Sequence, residues 1–491
     1  MKKIVIIGGG IAGLTAGVLL QKAGFQTEIF EKNALPGGQC TGWKREGYFI
    51  DNCIHWLTGT RPGSALHDLW KEIGALGDEV EVYEKEMFFS SKLNGETLTF
   101  WRDKERTRKE LLALSPEDEK EINKLIDYVS LAETMTVPVE KPFDAMTPFD
   151  FIKLGMSMKE MGKVMKAYGN MEIKELAMRF QHPLIRRAIT DYMPRGYQAY
   201  AFLVSYATVT GGNGDIPKGG SLSMSLRIAE KFKEFGGVLY TNADVEKILL
   251  NGKRAEGILL KDGTKVDADY VVCACDTNHT FHHLLPETYM PKGLKEMYGD
   301  REKYPVSSGF QIAYGVDGVF KEITGTRVFS CEPLKVGSQK VQSMSIQSYD
   351  YEPGFAPEGK MILQTNFSQT EEDYRYWKVL YTDKEAYQKQ KNEIAQAAVE
   401  RLIMEYPFLT GKIRVLDVWS PMTYLRYCNS YKGAYMSFVT TKQAKSITVP
   451  GKVKGIDNVL LASQWLMGPG GLPTAAAMGK FAAWRIIRKG L

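Results

Sequence analysis

A run of apolar residues, Ile4 to Ile7, gives way at once to Gly8, Gly9 and Gly10, and the chain beyond them reads as a helix. Few folds accept that junction. A continuous β-branched run suits a parallel strand buried on both faces. Gly8, Gly10 and Gly13 form G-x-G-x-x-G, in which the glycines serve a tight turn, close approach of backbone to a pyrophosphate, and close packing of helix on strand. Ile11, Leu14 and Val18 mark the apolar face of the helix, Gly24 predicts its C-cap, and TEIFE from Thr27 predicts the second strand. Glu31 ends that strand 23 residues after Gly8, near the offset of about 20 at which a carboxylate accepts from ribose hydroxyls. A βαβ unit is expected, with an adenosine ribose at Glu31, Lys32 beside it, and phosphate at the helix N-terminus.

Gly37 and Gly38 follow closely and let backbone cross the pyrophosphate from its other side, which points to FAD; no second G-x-G-x-x-G supplies a nicotinamide domain. From Pro217 the chain predicts a helix, a short strand over 238–241, a strand around Val245 and a hairpin turning at Asp262-Gly263. The tail from Asn458 predicts a buried strand, a glycine turn and a helix beginning near Pro473, with Arg485, Arg488 and Lys489 complementing the dipole at its far end. Reduced flavin carries negative charge near N1 and O2, and the backbone N–H groups of Gly470, Gly471 and Leu472 are the expected donors to it. Ala475, Ala476, Ala477 and Gly479 let that helix approach a neighbour closely, whether cofactor or another helix.

Composition narrows the class. With 491 residues, 44% hydrophobic and 25% charged, the chain is globular, and a net charge of +5 does not make nucleic acid a partner. Six cysteines without a CxxC pair suit a reducing interior, so a cytoplasmic location is expected. The N-terminal apolar run is too short for a signal segment, and no apolar stretch is long enough to span a bilayer, so any membrane contact is expected to be peripheral.

The segments GGGIAGLTAGVLLQKAGFQTEIFEKNALPGG, PKGG with ADVEKI, and GPGGLP resemble the bacterial phytoene desaturase group, which includes carotenoid desaturases, carotenoid isomerases and retinol saturases, within the wider amine oxidase-like FAD superfamily. WSPMTYLRYCNSYKGAYMSF from Trp419 is similar to a segment that some members carry before the last FAD motif. The likeness covers roughly residues 1–60, 214–280 and 415–491. It implies that Gly8, Gly10, Ile11, Ala12 and Gly13 hold the pyrophosphate, Glu31 the ribose, and Gly38 and Gln39 the diphosphate. It further implies that Val245 meets adenine through its backbone and that Gly471, Leu472 and Pro473 border the isoalloxazine. Gln464 stands where many FAD enzymes place an acid on the ribityl chain, and a glutamine can still bond hydroxyls. Cys53 stands where the group often has glycine.

The remaining stretches carry no fingerprint. Ser115-Pro116 with Asp118 predicts a helix start, and Thr382 with Glu385 a capping box. Tyr192, Tyr197, Tyr200, Phe202 and Tyr206 form an aromatic run that suits an apolar channel and core packing equally. Between Phe151 and Arg187, eight basic residues face three acids, with Met156, Met158, Met161, Val164 and Met165 interleaved. That pattern fits a solvated cap helix or one lying in a bilayer interface. His55 follows the Gly37-Gly38 crossing on the strand expected to approach the flavin, and is read either as an acid–base group or as a core or cofactor-contacting histidine. Tyr424, Arg426 and Lys218 are further catalytic candidates, from segments that the resemblance places near the ring. His279, His282 and His283 lack a completing ligand, so no metal is expected.

The expected fold is α/β: a Rossmann-type FAD-binding domain built from 1–95, 211–290 and 451–491, with an inserted α+β substrate or cap domain from 96–210 and 291–450. The expected function is FAD-dependent desaturation or saturation of carbon–carbon bonds in an elongated apolar polyene, such as a carotenoid, retinoid or unsaturated lipid. An apolar small-molecule substrate and an external electron donor or acceptor are the expected partners; peripheral membrane contact through 151–187 stays open as the alternative to a solvated cap helix. A flavin-dependent double-bond isomerase, an amine oxidase and a flavin-free lipid-chain escort are the competing readings.

Overall fold

The computed structural model describes residues 1–193, 196–439 and 441–490. Its first strand, Lys3–Ile7, lies at the centre of a five-stranded parallel sheet in the order Val238–Tyr240, Gln26–Phe30, Lys3–Ile7, Tyr270–Cys273, Val459–Leu461. Ile4, Val5 and Ile6 are fully buried. Three helices pack on this sheet and on one another: Ile11–Lys22, Gly220–Glu234 and Leu472–Gly490. Small residues set their spacing. A Cβ on Gly17 would stand 2.7 Å from Ile29 Cδ1, and one on Gly479 would stand 2.3 Å from the Ala12 carbonyl oxygen. Three remote segments of chain therefore make one Rossmann-type layer, as expected. The Asp262-Gly263 turn lies between the strands Arg254–Leu260 and Lys265–Asp267.

The second domain is a seven-stranded sheet in the order Ile413–Trp419, Ser308–Asp317, Lys360–Gln369, Gln339–Ser348, Thr326–Val336, Met87–Leu93, Glu96–Trp101. All neighbours are antiparallel except Thr326–Val336 with Met87–Leu93. The helix Lys384–Glu405 joins an apolar core with this sheet, while helices between 104 and 210 enclose a separate core around Ile126, Ile185 and Phe202. The expected boundary at 95/96 falls in the Asn94-Gly95 turn of a hairpin whose two strands both belong to this sheet, which thus begins at Met87. Leu294, Met297, Phe438 and Val449, assigned from sequence to the inserted domain, pack instead into the core of the dinucleotide-binding layer.

One expected helix start is found and one shifts by a residue: a helical turn begins at Pro116 after Ser115 and runs into Glu119–Ala132. Asp383, not Thr382, caps Lys384–Glu405, accepting from Ala386 N. The Asp118 carboxylate accepts from Ser115 Oγ and from the backbone of Gln181 and His182, and so ties the start of Glu119–Ala132 to a neighbouring helix. Among the described residues, no helix is long and apolar enough to cross a membrane.

Candidate active site

The glycines of the first turn divide by function. Gly8 has φ +102°, and a Cβ there would meet the Ala274 carbonyl oxygen at 3.0 Å; a Cβ on Gly13 would lie 2.0 Å from Gly8 O. Both are required by packing. Gly10 is different: the nearest atom to its Cβ would be Gly37 O at 3.9 Å, so a side chain there would enter the cavity that Gly10 lines. Gly10 is also the N-cap of Ile11–Lys22 and supplies no side-chain cap, which leaves first-turn N–H groups, Ile11 and Ala12 among them, for a ligand. The Glu31 carboxylate is buried; Oε2 accepts from Gly9 N at 2.8 Å and Oε1 from Asn33 N and Nδ2 at 2.9 and 2.7 Å. Gly37 N donates to Gly9 O at 2.8 Å, so the glycine crossing exists as backbone contact. The free amides, the fixed carboxylate and the side-chain-free floor at Gly10 fit the diphosphate and ribose of FAD.

Every residue expected to contact the cofactor lines this one cavity except Gly13, which is used in packing. Val245, Gly38, His55, Leu472 and Pro473 are all on its wall. Lys32 Nζ donates to Arg426 O and Asn429 Oδ1, and Gln39 Nε2 to Ala434 O, so both tie the cradle to the 426–434 segment. One expectation needs correction at the flavin end. Gly471 N donates to Gln464 Oε1 at 2.7 Å, so this N–H is taken up in shaping the turn; Gly470 and Leu472 remain as donors. Gln464 keeps its amide nitrogen for a ribityl hydroxyl.

The catalytic candidates separate. His55 lines the cavity with Nδ1 buried and unpartnered. Burial, and secondarily the charge of Lys85, hold its pKa down at about 4, so it is neutral at pH 7. Tyr424 also lines the cavity, but its hydroxyl accepts from Gln311 Nε2 and Trp419 Nε1 and donates to Asn52 Oδ1 at 3.1 Å. Burial pushes its pKa up, so it is an anchored neutral phenol. Lys218 and Arg426 are overturned as catalytic groups. Lys218 is exposed and paired with Glu81 at 2.6 Å; Arg426 is exposed and stacks on Tyr427. Neither lines the cavity.

The aromatic run also splits. Phe202 and Tyr206 are fully buried in the helical core, whereas Tyr192, Tyr197 and Tyr200 line the cavity. In the helix Ala199–Thr210, Tyr200 and Val204 share the cavity face one turn apart, while Phe202 and Tyr206, about half a turn away, share the core face. His279 lines the cavity near Asn429, and burial lowers its pKa to about 4. Among the described residues, no group of three or more His, Cys, Asp or Glu is placed to hold a metal.

Lys85 is the group that sequence reasoning missed. It is 9% exposed, lines the cavity, and donates from Nζ to the His55 carbonyl at 2.9 Å. Burial lowers its pKa to about 8, against an opposing pull from Asp215, so it is mostly protonated at pH 7. Within VYEKEMFF it reads as an ordinary surface charge, and no local pattern distinguishes it.

A family model described as flavin containing amine oxidoreductase matches residues 11–487. Among curated relatives, the phytoene desaturase (lycopene-forming) of a Paracoccus species is 26% identical over 296 residues, which cover 58% of this chain and 57% of that protein. The 4,4'-diaponeurosporene oxygenase of Staphylococcus haemolyticus is 23% identical over 514 residues, covering 99% of this chain and 97% of that protein. Among solved structures, an oxidoreductase from Methanosarcina mazei aligns with TM-score 0.62 at 20% identity, over 98% of this chain and 100% of that one. Putrescine oxidase bound to putrescine aligns with TM-score 0.62 at 17% identity, over 99% of each chain. The two structures share the fold.

Proposed function

Since the chain belongs to the flavin containing amine oxidoreductase family and is an FAD-dependent oxidoreductase, we propose that it desaturates or saturates a carbon–carbon bond of an elongated, mainly apolar polyene or unsaturated lipid. One observation carries this reading. The cavity of about 2230 Å³ is well beyond the roughly 300–1,000 Å³ of a site for one small ligand, and it runs from the dinucleotide cradle to walls that include Met158, Ile173, Tyr197, Tyr200 and Val204. It has room for FAD and for a long second molecule. The relatives named for phytoene and for 4,4'-diaponeurosporene support the substrate class.

Bound FAD supplies hydride transfer, and the chain supplies placement and proton handling. The Gly10, Ile11 and Ala12 segment and Glu31 would hold the diphosphate and ribose. Lys85 Nζ can give a proton, and neutral His55 can take one at Nδ1, so a proton can leave or reach the neighbouring carbon in either direction. Because the substrate would gain or lose two hydrogens, an external electron donor or acceptor would complete the cycle. Peripheral seating on a bilayer belongs to this reading. The helix Pro148–Ser157 buries none of its residues and exposes Phe149, Ile152 and Met156 at 72%, 60% and 66%; Met158, the next residue after it, lines the cavity.

The test is anaerobic mixing of FAD-loaded protein with polyenes, unsaturated lipids and simple amines while flavin absorbance is followed, with product mass measured. A change of flavin state with polyene, and a gain or loss of two hydrogens in product, is expected. Reaction with amines alone would overturn the proposal, and an unchanged product mass would convert it to an isomerase.

A further inference from the structure

The large sheet faces the cavity with carboxamides. Gln311, Gln364, Asn366 and Gln347 all line it, and they come from three adjacent strands, Ser308–Asp317, Lys360–Gln369 and Gln339–Ser348. Gln311 is directly paired with Asn366, and Gln347 with Gln364, while residues 364 and 366 project to the same face. The result is a contiguous amide patch, with one, two and one residues on three neighbouring strands, on a surface where a hydrocarbon would call for aliphatic side chains.

The hydrogen bonds of this patch do not close within the protein. Gln311 Nε2 is engaged by the Tyr424 hydroxyl, and Gln364 Nε2 donates to the Asp51 carbonyl at 2.9 Å. Asp51 is itself fixed by Ser221, whose N donates to Oδ2 at 2.6 Å, so the patch and the segment carrying His55 form one anchored unit. Left over are Gln364 Oε1 and Asn366 Oδ1, both buried and unpartnered, and one N–H of Gln347 Nε2, whose amide lies within hydrogen-bonding reach of the His55 ring; Gln364 is only 4% exposed. Buried polar atoms in folded proteins are nearly always paired, and groups left without partners in a cavity wall are paired by what the cavity holds.

We infer that the substrate carries a hydroxyl on its otherwise apolar chain, and that Gln347, Gln364 and Asn366 receive it. This rests on the polyene reading above. The unpaired set contains carbonyl acceptors and an amide donor, and a hydroxyl answers both, whereas a carbonyl oxygen can only accept and a hydrocarbon does neither. Exchanging the O and N positions of either amide leaves that conclusion intact, because the hydroxyl works in both senses. The apolar chain would lie along Tyr197, Tyr200 and Val204, with its oxygen against the sheet beside His55.

The experiment titrates FAD-loaded protein with geranylgeraniol, with its aldehyde, and with the hydrocarbon of the same chain lacking oxygen, reading dissociation constants from the perturbed flavin spectrum. The expected order is alcohol, then aldehyde, then hydrocarbon, with about tenfold between the first and last for each hydrogen bond of about 1.4 kcal/mol. Gln347→Met and Asn366→Leu should narrow that gap by weakening the alcohol while leaving the hydrocarbon constant unchanged. The ranking in the native protein needs no variant, so it stands even if a substitution disturbs folding. Equal or tighter binding of the hydrocarbon overturns the inference and leaves the polyene reading standing, as does a gap that survives both substitutions. No binding by any of the three overturns both.

Discussion

Adding a single methyl group to the last helix should weaken a cofactor whose fingerprint lies more than 460 residues away in the chain. In Gly479→Ala the new Cβ would stand 2.3 Å from the Ala12 carbonyl oxygen, 2.9 Å from Thr15 Cβ and 3.2 Å from the Ala12 carbonyl carbon. Ordinary contact needs about 3.5 Å, so the two helices must separate by roughly 1 Å, and two of the three obstacles are backbone atoms that cannot rotate aside. Ala12 belongs to the turn whose N–H groups are aimed at the diphosphate, so the displacement acts directly on binding. Overpacking of this kind costs about 1–3 kcal/mol. If the FAD-free protein relaxes by parting the helices and the bound form must close them again, the same cost falls on binding, which corresponds to roughly 5–150-fold weaker affinity.

The assay is FAD titration of the stripped protein by fluorescence quenching, with thermal unfolding followed in parallel. Gly162→Ala is the matched control: it lies within the helix Lys159–Tyr168, nothing lies within 4 Å of its Cβ, and it should gain about 0.5–1 kcal/mol from helix propensity with FAD affinity unchanged. Wild-type affinity and melting temperature in Gly479→Ala would refute the argument that helix contact sets the geometry of the phosphate turn.

Three further outcomes are expected. With Lys85 protonated as the proton donor in the saturating direction, kcat/KM should fall as pH rises through about 8, and Lys85→Met should have low activity with no such limb; an unaltered profile in the variant removes Lys85 from the chemistry. Because burial depresses the His55 pKa from 6.5 to about 4, the unfolded chain takes up this proton first. Its effect on stability is absent above pH 6.5 and grows to a loss of at most about 3 kcal/mol as pH falls to 4. His55→Gln should therefore lose less stability than wild type in urea titrations across that window, and parallel losses would contradict it; His279 contributes in the same sense, and Asp276, raised by burial to about 6, in the opposite one. Finally, Ile152→Ser with Phe149→Ser should reduce flotation with liposomes severalfold, and full recovery of wild-type protein in the soluble fraction would remove the interfacial role of Pro148–Ser157.

The two domains differ in how much of them could be read in one dimension. The Gly8 turn, Glu31, the Gly37-Gly38 crossing and the Pro473 helix start were legible because each is a backbone requirement met locally: a positive φ, an N–H without a partner, or a strand without polar residues. Such demands leave a residue type at a fixed offset. Gly479 was legible only as a small residue, since its reason, the Ala12 carbonyl, belongs to another helix. Arg426 sits between the cavity residues Tyr424 and Cys428 in sequence and still points outward, because a short step along a helix reverses the direction of a side chain, while the whole segment around Lys218 lies away from the cavity wall.

The sequence by itself determined the cofactor, since the ligand there meets mostly backbone, and glycine spacing encodes backbone shape. What the cavity wall offers a substrate was decided only by the tertiary structure. Gln311, Gln347 and Asn366 are brought together by strand register across gaps of tens of residues, and Lys85 became an unusual group only when the fold buried it against the His55 carbonyl. Burial and register are properties of the assembled sheet, and no short stretch of chain carries them.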